Sequence, residues 1–102
     1  MNPPTDFTRI IGRKKYSVKT ATLIAGDDYW DGHNFERHGR NTFLYRTPNG
    51  AYFTVTLTQW QGESDHLTPI DPDEAIQLYE TSLSEHEVSY AEAFPGVEVK
   101  DA

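Results

Sequence analysis

The sequence predicts an α+β domain: a small antiparallel sheet of three to five strands, with one main helix at about 71–83 on one face and a short helical turn near the C-terminus. Three observations predict it. Residues 41–60 (NTFLYRTPNGAYFTVTLTQW) read as a β-hairpin. Residues 70–83 carry a helical apolar stripe behind a capping signal. In residues 20–25 (TATLIA), Ala21, Leu23 and Ala25 alternate with threonine and isoleucine, as suits a strand.

The hairpin allows two turns. A type I′ turn would centre on Asn49-Gly50. A type I turn would place Pro48 and Asn49 at its centre and Gly50 in a left-handed G1 bulge. The flanking residues decide. The bulged turn pairs Tyr45 with Phe53, Phe43 with Val55 and Asn41 with Leu57, so that Phe43, Tyr45, Phe53, Val55 and Leu57 share one face. The alternative sets Tyr45 against Thr54 and Phe43 against Thr56. Because a one-residue slip exchanges the two faces of a strand, the bulged turn is expected. The opposite face, with Thr42, Leu44, Arg46, Tyr52, Thr54, Thr56 and Thr58, reads as tolerant of water.

In chain order, residues 7–18 (FTRIIGRKKYSV) form a short first hairpin or a strand broken at Gly12, with Arg13-Lys14-Lys15 at or just after the turn. Residues 20–25 (TATLIA) are read as a strand, against the option that Ser17 caps a helical turn. Residues 26–40 (GDDYWDGHNFERHGR) have no lasting period and read as a long loop, a feature often tied to function. Its Tyr29, Trp30 and Phe35 either fold back over the sheet or form a binding surface. Residues 61–69 read as a turn-rich connector. In the helix, Asp71 is the N-cap, Pro72 occupies N1 and Glu74 completes an Asp-x-x-Glu capping box. Ala75, Ile76, Tyr79 and Leu83 form the buried stripe, with Leu78 at its edge, and are expected to lie on the Phe43/Tyr45/Phe53/Val55/Leu57 face. Ser89 and Glu92 repeat the capping pattern before Pro95-Gly96.

At 102 residues the chain is expected to form a single domain, with 1–6 and 97–102 as loose termini. It contains no cysteine, which excludes disulfides and thiolate metal sites. No apolar run reaches membrane-spanning length and no signal peptide is evident, so a cytoplasmic protein is expected. The net charge of −7 is unevenly spread. Residues 1–62 hold eight bases and five acids, whereas residues 63–102 hold one base and eleven acids. Such a split points to a basic protein partner for the acidic half, to nucleic acid for the basic half, or to mutual neutralisation within the fold.

Catalytic patterns fail on inspection. His33, Glu36 and His38, beside Asp27, Asp28 and Asp31, match no standard metal spacing. His86-Glu87 begins a zinc-protease motif that Tyr90 breaks. Ser64-Asp65-His66 lacks a nucleophile elbow. No cofactor, metal site or catalytic residue is expected.

The segments Gly12–Ile24 (GRKKYSVKTATLI), Asn41–Phe53 (NTFLYRTPNGAYF) and Asp73–Tyr79 (DEAIQLY) resemble a loose group of small uncharacterised acidic proteins of bacterial genomes, phages and mobile elements. That group shows a Tyr-x-x-x-Thr-Ala stretch, a Leu-Tyr-Arg-Thr-x-x-Gly-x-Tyr-Phe hairpin and a short acidic helix. The resemblance implies no reaction. It implies an inhibitor of a host enzyme, since some such proteins are of the anti-CRISPR type.

The leading expectation is a non-catalytic protein-binding module using Asp71, Asp73, Glu74, Glu80, Glu85 and Glu87 against a basic surface. One alternative is nucleic-acid binding through Arg9, Arg13, Lys14, Lys15, Arg37 and Arg40, with Tyr29 and Trp30 as stacking groups. Another is a small metal-dependent hydrolase built on His33 and His38.

Overall fold

The computed structural model describes residues 4–27, 40–58 and 64–102. A two-stranded ribbon comes first: β1 (Thr8–Ile11) and β2 (Lys14–Ser17). A five-stranded antiparallel sheet follows. Its strands are β3 (Thr22–Gly26), β4 (Arg40–Arg46), β5 (Tyr52–Thr58), β6 (His66–Ile70) and β7 (Glu85–His86), in the order β6-β5-β4-β3-β7. The helices are α1 (Pro72–Glu80) and α2 (Tyr90–Ala93).

The central hairpin has the register that its apolar pattern requires: Asn41 opposite Leu57, Phe43 opposite Val55, and Tyr45 opposite Phe53. Its turn is the bulged form. Gly50 N–H donates to the Thr47 carbonyl at 2.9 Å, and Gly50 sits at φ 86°, where a Cβ would be strained. Thr47 Oγ1 also accepts from Ala51 N–H at 3.0 Å.

The sheet is covered on both sides. Phe43, Tyr45, Phe53 and Val55 are buried with Leu67, and their cover is Tyr16 and Val18, reaching over from β2 and the turn that follows it. Phe53 stacks on Tyr45 at 5.2 Å and meets the Tyr16 ring edge-on at 5.7 Å. On the other side Ile24, Leu44 and Tyr52 are buried against Ala75, Tyr79, Leu83 and Phe94. The helix therefore does not lie on the Phe43/Tyr45/Phe53/Val55/Leu57 face. The first hairpin takes that face, and α1 takes the face that reads as threonine-rich. Connectivity gives the reason: β6 and β7 lie at opposite edges of the sheet, so the chain between them must cross one face. A bulge in β3 enlarges the helix-side core. Leu23 pairs with Tyr45 but Ala25 pairs with Leu44, so consecutive Ile24 and Ala25 both reach it.

Two further expectations are corrected. Residues 66–70 are not connector but an edge strand, where Pro69 is tolerated because its missing N–H need not face a neighbour. The main helix ends at Glu80 and not at about 83, and residues 85–86 form a strand too short to show a period. The ambiguity at Ser17 resolves into a turn followed by a strand: Ser17 Oγ accepts from Lys19 N–H at 3.3 Å, and β3 begins at Thr22.

Both predicted caps form. Asp71 Oδ1 accepts from Glu74 N–H at 2.8 Å, and Ser89 Oγ accepts from Glu92 N–H at 3.2 Å. Asp71→Ala frees a first-turn donor and is expected to lose about 0.5–2 kcal/mol in a denaturant melt. An unchanged midpoint would show that the cap does not hold the helix. No helix among the described residues is long and apolar enough to cross a membrane.

Candidate functional site

The six acids of the expected binding surface are all exposed. They fall into two groups. Asp71, Asp73 and Glu74 surround the first turn of α1, where carboxylates complement the positive end of the helix dipole. With Gln77, Leu78, Thr81 and Ser82 they line a shallow depression of about 610 Å³ that contains no base. The second group is Glu80 at the end of α1, with Glu85 on β7 and Glu87 just after it, at the edge of the sheet. Asp73 and Glu80 are seven residues apart, two helical turns, and so share one stripe.

The second group is held by a small aromatic knot. The His86 ring stacks on Tyr79 with centroids 3.7 Å apart, and His86 Nε2 lies 2.8 Å from the Tyr79 carbonyl, so a proton on Nε2 completes a hydrogen bond. Tyr79 donates its hydroxyl to the Val88 carbonyl at 2.7 Å. Glu87 N–H donates to the Ile24 carbonyl at 2.8 Å. Burial, with a smaller effect from the Glu92 charge, raises the Tyr79 pKa above that of an ordinary phenol. Tyr90 donates to Glu80 Oε2 at 2.8 Å, and this bond is the main cause of its own raised pKa. Glu80 is out of place by local rules. It stands at the negative end of α1, whose last turn has no base.

The bases lie elsewhere. Arg13 forms the tip of the first hairpin, and Lys14 and Lys15 follow on β2, all exposed. They form one wall of a cleft of about 710 Å³. Thr47, Pro48 and Asn49, from the turn of the central hairpin, form the other, and no acid lines it. The sequence reading missed this second wall, because the turn signal at Thr47–Gly50 speaks of conformation and not of what the turn faces. Arg9 is already engaged: its guanidinium lies over the Phe7 ring at 4.5 Å and donates to the Thr8 carbonyl. Arg40 stands in β4 opposite Thr58. Tyr29, Trp30 and Arg37 lie outside the described residues, as do His33 and His38.

Asp27, one of the acids near those histidines in sequence, is hydrogen-bonded to β4. Its carboxylate accepts from Thr42 N–H at 2.7 Å and from Asn41 Nδ2 at 3.2 Å. No group of three or more potential metal ligands forms among the described residues. Neither do the two charged halves neutralise each other by ion pairing there. The one ion pair among those residues joins Lys19 to Asp6 at 3.7 Å, both exposed and both in the N-terminal half.

The chain matches no family model, no curated protein and no solved structure. Its charged surfaces are an acid-bearing helix on one side of the sheet and a basic hairpin on the other.

Proposed function

We propose that the protein is a non-catalytic binding module whose acidic helix layer docks on a basic surface of a protein partner. In its most concrete form it is an inhibitor of a nucleic-acid-handling enzyme, with carboxylates occupying a groove that otherwise holds phosphates. One observation carries this reading. Six exposed acids sit on α1, on its cap and at the β7 edge of the sheet, with no base in α1 and no ion pair to the basic half among the described residues. The resemblance to mobile-element proteins, some of them anti-CRISPR inhibitors, points the same way.

The test is capture of a partner from host-cell extract with the tagged protein, followed by charge reversal. Glu74→Lys, Glu80→Lys and Glu87→Lys together are expected to abolish capture and leave the thermal melt within a few degrees of wild type, since exposed charges contribute little to stability. Inhibition of the captured enzyme should be competitive with its nucleic acid. Capture that survives the triple reversal, with the fold intact, would refute the reading.

A further inference from the structure

The cleft between the two hairpin turns is a site of a different kind. We infer that it binds the phosphodiester backbone of a single-stranded nucleic acid, independently of the acidic layer. Arg13, Lys14 and Lys15 contribute three bases to the lining, and Thr47 and Asn49 contribute hydroxyl and amide groups. Thr20 is part of the lining, and no carboxylate offsets the charge. Its volume, about 710 Å³, lies within the usual range for ligand sites. A concave basic site also concentrates its field on what enters it.

The occupant follows from shape and charge. A single strand can run between two turns and bring successive phosphates to successive cations. A duplex carries its phosphates on a convex surface and would meet only the cation tips. The net charge of −7 does not forbid such binding. The helix layer is on the opposite face of the sheet, and two layer spacings of about 10 Å each exceed the Debye length of about 8 Å at physiological salt.

The backbone of Arg13 is the second, independent observation. The β1–β2 turn puts both of its central residues at positive φ, Gly12 at 59° and Arg13 at 67°. Glycine and asparagine accept that conformation readily, and a long side chain does so at a cost in stability. Ile11 and Lys14 pair directly across the turn, so the ribbon fixes the strained conformation at a residue that lines the cleft. Strain kept at a charged residue that lines a cleft is the pattern of a functional position.

This combination makes an unusual test possible. Arg13→Asn should relieve the strain and raise the melting temperature while weakening binding. The probe is a fluorescein-labelled single-stranded oligonucleotide of mixed sequence, followed by anisotropy against salt concentration. Wild type is expected to bind saturably, with log K falling against log salt at a slope of about −2, as three phosphate contacts to a single strand require. Each of Arg13→Asn, Lys14→Gln and Lys15→Gln should reduce that slope by about 0.7. Arg13→Lys, which keeps the charge, should leave the slope at the wild-type value. The triple Glu→Lys variant of the helix layer should retain this binding, so failure of the acidic-surface reading and failure of this one give different results. The inference is overturned by absence of saturable binding at low salt, or by binding unchanged in the variant lacking all three cations. It is equally overturned if inorganic phosphate, a mononucleotide or vesicles of anionic phospholipid compete as well as an unlabelled strand.

Discussion

Phe53→Ala is expected to destabilise the protein by about 3–5 kcal/mol, the usual cost of emptying an aromatic site in a core. Phe53 is fully buried and links two layers: it stacks on Tyr45 within the sheet and meets the edge of Tyr16 from the first hairpin. Its loss leaves a cavity where the ribbon rests. The ribbon amides should therefore lose hydrogen-exchange protection more than those of the sheet. Thr54→Ala, one residue along and on the opposite face, removes far less apolar volume and is expected to cost well under half as much. Urea melts of the two variants check the face assignment directly. Equal costs would contradict it.

Phe94→Ala is expected to have an effect of the same size, about 3–5 kcal/mol, for a different reason. Phe94 follows α2 and is 1% exposed. Its ring meets Tyr52 at 5.4 Å, Tyr79 at 5.4 Å and Tyr90 at 5.2 Å. Beside it, Tyr52 donates its hydroxyl to the Ala93 carbonyl at 2.6 Å. The segment after α1 thus closes the helix-side core. Stabilities of small domains lie near 5–15 kcal/mol, so the variant should be partly unfolded at moderate temperature. A loss below about 1 kcal/mol would mean that this segment does not seal the core.

The local features of the fold were legible in the sequence, and the long-range ones were not. Alternation in residues 41–57 allowed one register without mixing the faces, and Pro48-Asn49-Gly50 allowed one turn to match it. Asp71 with Glu74, and Ser89 with Glu92, announced the helix starts. The cover of each sheet face was not legible. An amphipathic strand says that one side is buried but not by what, and the Leu44/Tyr52 side looks polar because threonines surround its two large residues. Its apolar partners come from Ile24, Tyr79, Leu83 and Phe94, scattered along the chain. Strand β6 was hidden by Pro69, which argues against a strand except at an edge. Strand β7 has two residues and no pattern to read. Of the sites, the acidic set was visible as composition. The basic cleft was half visible: its three cations are adjacent in sequence, but its second wall belongs to a turn more than thirty residues away.

The association rate constant tests most directly whether the acidic surface is a binding surface. Surface-bound wild-type protein, exposed to its captured partner, should show a rate constant that falls steeply between low salt and about 0.15 M, where the Debye length has shrunk to about 8 Å. The Glu74/Glu80/Glu87→Lys variant should associate too slowly to measure, and the variant with Arg13, Lys14 and Lys15 reversed should match wild type. A rate constant indifferent to salt, or a basic-run variant that loses the partner while the acidic-layer variant keeps it, would contradict the account.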